Sequence, residues 1–486
     1  MDIIEKIRQL ECAARQLDPT GAQRRALLAE VGEYAETFLA ALPQAKTYTR
    51  DSGHNGFADY PLQDAPTEIS ELLQFFRREV DTTGILPASG GQMGYIPGGG
   101  LFPSALGDFL ADVSNRYSGV SFAGPGAARM EGALVQWMCE LVGYPGNAAG
   151  DLTSGGSMAT LSALVVARDA HDIGPAEIPD ACIYLTRQAH HCIDTALHVA
   201  GLGSVLKRIV PMDAHYRLAV PALERLIEED LERGLKPWLM VGSAGTTDTG
   251  AIDPITGLAE VAAKHKLWFH LDAAYGGFFL LCEEGRQRLQ GIERADSIVM
   301  DPHKGLGIPY GSGAVLVKQG ALLAESFSYY ADYMQDAKRP GHDPDTDYAP
   351  ADYSAELTRP FRGPRMWFPL KLFGLAPFRA ALAEKIWLAR YFYEKISGLE
   401  GFQTGPYPDL SIVTFRFLPR HVDANEFNRR LLAAVHEDGR VFITSTLIDG
   451  VFTLRLAVLN FRTHLATVDY LLELLQRLAA ELDAPG

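Results

Sequence analysis

From about residue 91 to 375 the chain alternates short β-rich runs with amphipathic helical patterns, and this alternation constrains the fold most. The runs are ACIYLT, RIVPM, WLMVGSAG, LWFHLDAA, SIVMD and GAVLVK. Between them lie SMATLSALVVARDAHD, VPALERLIEEDLERG and GLAEVAAKHK, which carry helical periodicity. Short apolar runs suit strands buried on both faces, and the helices supply the crossovers that parallel strands need. The pattern predicts an α/β domain built on a mostly parallel sheet. Residues 1 to about 90 read as a helical segment broken by polar loops, without a strand strong enough to found a sheet. From about 376 to 486 a long helix, the runs LSIVTFRFL, RVFITSTLIDG and VFTLRLAVL, and a closing helix predict a small α+β domain.

Composition narrows the partners. The 486 residues are 47% hydrophobic and 21% charged, as in an ordinary globular chain with one large domain and satellites. The formal net charge of -16, with no basic block to offset it, argues against nucleic acid or an anionic membrane as partner. Five scattered cysteines without a CxxC pair support neither a disulfide framework nor a zinc site. The opening MDIIEKIRQLECAARQLD reads as an amphipathic helix rather than a signal peptide, and no apolar stretch is long enough to span a bilayer. A cytoplasmic protein is expected.

In open parallel sheets, ligands bind on the loops that follow the carboxyl ends of the strands. Several such loops carry chemistry here. LTSGGSMATLSALVVAR, residues 152–168, runs a glycine-serine turn into a helix. Its backbone N–H groups at Gly155 and Gly156, with the Ser157 hydroxyl, can hold a phosphate; the same stretch reads equally as a plain N-cap. In LWFHLDAAYGG, His270, Asp272 and Ala274 alternate onto one strand face. An acid ending a buried strand needs a cation or donor, so Asp272 either meets a ligand or caps a neighbouring helix. His190 and His191 open a helix after ACIYLT, and Thr246 or Thr247 follows WLMVGSAG. Lys304, in SIVMDPHKGLG, is either a surface residue or an amine delivered to the sheet's mouth to react. A phosphate cradle, a strand-end acid, a histidine and a strand-end lysine are together what pyridoxal phosphate requires.

The chain resembles the group II pyridoxal-phosphate-dependent amino acid decarboxylases, which include aromatic-L-amino-acid, histidine and glutamate decarboxylases. The resemblance runs in order through PGGGLFPSALGDFLAD, GPGAARMEGALVQWMCELVGYP, TSGGSMATL, QAHHC, GTTDTGAIDP, HLDAAYGG, DPHKG, RPFRGPRMWFPLKLFG and TLRLAVLNFRTH, roughly residues 65 to 475. It implies an aspartate-aminotransferase-like fold (fold type I) and pyridoxal 5′-phosphate as cofactor. It implies that Lys304 bonds to the cofactor, with His303 on the phosphate side. Asp272 then pairs with the pyridine nitrogen, Ala274 packs under the ring, and His190 stacks on its other face. Gly155, Gly156, Ser157 and Thr246 hold the phosphate.

It further implies a loop tyrosine that returns a proton to the substrate, matched here by Tyr333 among Tyr329 and Tyr330. Keeping a tyrosine there favours simple decarboxylation. Tyr95, Ile96, Pro97 and Phe122 suggest an apolar substrate wall, and Arg359, with Arg362, a contact for the substrate carboxylate. The family also implies a homodimer with shared active sites, the N-terminal helices packing across its interface. Four residues depart from the pattern. Ser89-Gly90 stands where many relatives carry histidine-proline, His191 where a small hydroxyl residue is usual, and Asp301 where some carry asparagine. An acid repels a phosphate, so Asp301 is expected to point elsewhere.

The expected reaction is loss of carbon dioxide from an aromatic L-amino acid such as tyrosine, Dopa, tryptophan or phenylalanine. The rivals are decarboxylation of an acidic amino acid, aldehyde synthesis or carbon–carbon cleavage on the same cofactor, and a non-catalytic nucleotide-binding or scaffold protein.

Overall fold

The computed structural model describes residues 2–328 and 348–484. It opens with helices Ile3–Ala14 and Gly21–Ala41, which bury none of their residues. The second begins at a capping box in which Thr20 and Gln23 satisfy each other's backbone N–H groups. Two short strands, β1 (Tyr48–Thr49) and β2 (Gly84–Ile85), then pair antiparallel.

The large sheet has seven strands: β3 (Ala149–Thr153), β4 (Ala181–Leu185), β5 (Leu206–Ile209), β6 (Lys236–Ser243), β7 (Trp268–Asp272), β8 (Ser297–Met300) and β9 (Gly313–Val317). Their spatial order is β3-β9-β8-β7-β6-β4-β5. The β5–β4, β4–β6, β6–β7 and β7–β8 pairings are parallel, whereas β9 lies antiparallel to both β8 and β3. The mostly parallel α/β architecture expected from the alternation is therefore present.

Side chains alternate across the sheet as the strand period requires. Cys182 and Tyr184, Ile298 and Met300, and Ala314 and Leu316 feed one core. Ile183 and Leu185, Val299, and Val315 and Val317 feed the other, under Ala163, Leu164 and Ala167 of helix Gly156–Ala170.

Strand β3 is absent from the sequence expectation. Its residues, AGDLT, have little intrinsic strand preference, but pairing with β9 overrides propensity. Gly150 fits because a Cβ there would meet the Val315 carbonyl oxygen at 2.3 Å.

The C-terminal part carries helix Ala376–Ser397, strands β10 (Phe402–Thr404), β11 (Ile412–Phe417), β12 (Thr444–Ile448) and β13 (Val451–Ala457), and helices Ala424–Asp438 and Leu465–Asp483. The four strands form an antiparallel sheet ordered β10-β11-β13-β12, around a core that includes Phe392, Phe415, Phe427 and Leu475. Asp449 and Gly450, both at positive φ, close the β12–β13 hairpin. The segment after β2 joins this core at once. The Met93 N–H donates to the Phe442 carbonyl, and the Ala457 N–H donates to the Met93 carbonyl. No helix among the described residues is long and apolar enough to cross a membrane.

Candidate active site

Five strands of the large sheet end at one edge, and the residues that follow them meet around a cleft of about 290 Å³. After β3 come Ser154, Gly155, Gly156 and Ser157; after β4, His190 and Cys192; after β6, Gly245 and Thr247. Asp272 and Ala274 follow from β7, and Asp301, His303 and Lys304 from β8. Parallel strands separated by crossovers deliver all these ends to the same side, the geometry expected for a ligand site in such sheets.

The glycine turn enters helix Gly156–Ala170 without a side-chain cap on its first N–H groups, and Gly155, Gly156 and Ser157 at that helix start line the cleft. Crowding explains the glycines. A Cβ on Gly156 would lie 2.8 Å from an Asp301 carboxylate oxygen. A Cβ on Gly313 of β9 would meet the Gly155 backbone at 2.5 Å.

Lys304 Nζ lies 2.8 Å from Asp301 Oδ2. Burial alone pulls the lysine amine down, but the charge and hydrogen bond of Asp301, with Asp272 behind it, more than offset this and hold it above its ordinary value. His303 Nδ1 donates to the Ser312 carbonyl, which leaves Nε2 unprotonated in the neutral ring. Burial lowers the pKa of His303 and of His190, against the pull of nearby aspartates. The Cys192 N–H donates to His190 Nδ1 at 3.2 Å, and the His190 ring packs against His191 with centroids 4.1 Å apart. Asp272 accepts the Ala274 N–H at 3.1 Å.

These residues fit pyridoxal phosphate. The uncapped helix start and Ser157 suit its phosphate, Lys304 its aldehyde, Asp272 its ring nitrogen, and Ala274 leaves space for a planar ring. Residues 58–418 match the family model of the pyridoxal-dependent decarboxylase conserved domain. The chain belongs to the pyridoxal-dependent decarboxylase family. Its cofactor is pyridoxal phosphate, and it is a carboxy-lyase.

Two curated relatives illustrate the range of this family. An aromatic-L-amino-acid decarboxylase of Bacillus atrophaeus is 31% identical over 446 residues, 91% of each chain. A phenylacetaldehyde synthase of Arabidopsis thaliana is 28% identical over 377 residues, 75% of this chain and 76% of the other. Among solved structures, the Oryza sativa TDC with PLP and tryptamine superposes with a TM-score of 0.90. That likeness, at 24% identity over 96% of this chain and 99% of the other, shows the same fold.

The decarboxylase brings together Lys304, His190, His303, Asp272, Ala274, Gly155, Gly156 and Ser157 around the cleft. It does not bring Thr246. That hydroxyl is buried in its own loop, 2.8 Å from the Thr249 hydroxyl and accepting the Ala251 N–H, while the neighbouring Thr247 lines the cleft.

Arg359 also stands apart, and its expected contact with substrate is corrected. Its side chain is 0% exposed and ion-paired with Glu131 and Asp151. Arg362 is likewise engaged, with Glu356. Tyr95, Ile96 and Pro97 form no wall of the cleft within this chain. Tyr95 is 61% exposed, Ile96 packs on the main core, and Pro97 is buried. Tyr333 lies outside the described residues. Asp301, expected to point away, faces the cleft because Lys304 draws it in.

Proposed function

We propose that this decarboxylase removes carbon dioxide from an aromatic L-amino acid and releases the amine. The observation that carries the substrate class is the charge of the cleft. Among the described residues that line it, Lys304 is the only lysine or arginine, and it is already paired with Asp301. A glutamate-like substrate needs a second cation for its side-chain carboxylate, and the arginines nearest in sequence to the expected contact are spent on Glu131, Asp151 and Glu356. The 31% identity to the aromatic-L-amino-acid decarboxylase of Bacillus atrophaeus supports the same choice.

Bound pyridoxal phosphate supplies a carbonyl for the amino group and a ring that accepts the electron pair left when carbon dioxide departs. The chain supplies the rest. Lys304 would hold the cofactor through its amine. Asp272 keeps a proton on the ring nitrogen, a fixed charge that strengthens the ring as an acceptor. The helix start at Gly156 and the Ser157 hydroxyl bind the phosphate, and His190 covers the ring. Tyr333 returns a proton to the substrate α-carbon as general acid.

The working unit is a homodimer. Phe102, Leu106, Phe109, Leu110 and Val113 are exposed along one face of helix Phe102–Ser114, and Ile3, Ile4, Ile7 and Leu10 along the first helix. Helix Phe102–Ser114 buries its opposite face, including Gly107 and Ala111, against helix Gly363–Phe373, and exposed apolar stripes of this kind are what a second copy covers. In that arrangement the exposed Tyr95 belongs to the interface.

A visible spectrum before and after borohydride reduction, with peptide mapping of the reduced lysine, tests the site. The cofactor band should become fixed on Lys304; a label on another lysine refutes the assignment. Carbon dioxide release from a panel of amino acids tests the substrate. Turnover of tyrosine, Dopa, tryptophan or phenylalanine is expected, and preference for glutamate would refute the reading. The likeness to phenylacetaldehyde synthase favours aldehyde synthesis as the second reading, and aldehyde with hydrogen peroxide in place of amine would establish it.

A further inference from the structure

Asp301 is an acid at a phosphate site, and its contacts give it a use. It occupies the N-cap of the short helix Pro302–Gly305, where an aspartate ordinarily accepts a backbone N–H, yet its side chain caps nothing. It turns instead to Lys304, with Nζ 2.8 Å from Oδ2, and lies under the first residue of helix Gly156–Ala170. The carboxylate is 2% exposed, and its Oδ1 has no hydrogen-bond partner. A buried carboxylate with one oxygen unmatched is costly unless a cation stands beside it, and the lysine is that cation. The groups facing it are Lys304 and His303 from its own turn, with His303 Nε2 3.9 Å from Oδ2, and His190 and Cys192 from the loop after β4. Asp272, at the end of β7, acts on the same lysine.

We propose that Asp301 is a positioning residue for cofactor capture, holding Lys304 as an ammonium against the glycine cradle in a pairing that the incoming phosphate must overcome. Two consequences follow from charge alone. The carboxylate repels the phosphate dianion at the neighbouring helix start, so it weakens non-covalent binding. It also keeps the lysine protonated, so it delays attachment. Attachment requires the neutral amine: once the ammonium proton has left to solvent, Nζ bonds to the aldehyde carbon. The aldehyde oxygen then departs as water with both remaining amine protons. Asp301 thus trades affinity and speed of loading for a lysine already placed at the cradle.

This rests on the reading of Lys304 as the attachment point, and the test keeps the two separable. The cofactor-stripped full-length protein and its Asp301→Asn variant are titrated at pH 7.5 with 4-deoxypyridoxine 5′-phosphate, which carries the phosphate and ring but no aldehyde. The variant should bind this probe about tenfold more tightly. The rate of pyridoxal phosphate attachment, followed by its visible band against pH, should reach half its maximum about one pH unit lower in the variant. Asp301→Ser repeats both measurements should the asparagine variant not fold. Unchanged or weaker probe binding, or an unmoved pH profile, overturns the proposal. Borohydride labelling then locates the fault. A label on Lys304 alongside an unmoved profile refutes only the role of Asp301, and a label elsewhere refutes the attachment point.

Discussion

Replacing Arg359 with methionine separates a structural arginine from a substrate-binding one. Its guanidinium is buried and reaches Glu131 Oε2 at 3.1 Å and the Asp151 carboxylate. Glu131 also accepts the Arg362 and Gly363 N–H groups at 2.8 and 3.1 Å, so this network ties helix Pro125–Val142 and β3 to the segment entering helix Gly363–Phe373. Arg359→Met would leave two buried carboxylates without their cation, a loss on the order of 3–5 kcal/mol. With an unfolding entropy of roughly 2 cal/mol/K per residue, a chain this long should then melt about 4 °C lower.

The pH dependence identifies the cause. Burial pushes Glu131 up to about 7, against the pull of Arg359, and Asp151 is raised for the same reason. A carboxyl whose folded pKa exceeds its unfolded value favours the fold at low pH, and that favour is lost as pH rises through the folded value. Without the guanidinium both values climb further. The deficit of the variant should therefore be large at pH 8 and shrink towards pH 5.5, read from thermal melts of cofactor-stripped protein. An unchanged melt with a raised KM would refute the argument and return Arg359 to the substrate.

Two other perturbations probe the site and the sheet beneath it. Gly156→Ala puts a methyl 2.8 Å from Asp301 Oδ2 and should cost about 1–3 kcal/mol through overpacking. The same change made in an Asp301→Ser background should cost clearly less, and equal losses in thermal melts would show that the carboxylate is not the obstacle. His270 lies fully inside the sheet, Nδ1 2.9 Å from the Ser297 hydroxyl, and burial lowers its pKa to about 4. Its imidazole stays neutral in the fold while the unfolded chain takes up a proton below about pH 6.5, so stability falls with pH across that window. His270→Gln should flatten the fall between pH 6.5 and 4; urea midpoints with the wild-type slope would contradict this.

The sequence spoke clearly where local pattern and tertiary role coincide. Lys304 and Asp272 each sit at the end of a β-rich run, and a parallel sheet sends such ends to one edge whatever the detailed packing. Thr246 and Thr247 mark the limit of this logic. The strand places both at the mouth of the site, but one loop turn decides that Thr247 faces the cleft and Thr246 faces Ala251. Strand β3 and Arg359 were hidden for a shared reason. AGDLT becomes a strand only beside β9, and Arg359 is explained only by Glu131 and Asp151, more than 200 positions earlier in the chain. Asp301 differs, because its partner is local. An acid and a lysine three residues apart meet on one helical turn, so DPHK already contained the ion pair. Reading that acid only as a neighbour of phosphate predicted repulsion and a side chain turned away. Weighing the lysine first, at 2.8 Å against a cofactor that arrives later, puts the carboxylate inside the site and makes it part of loading.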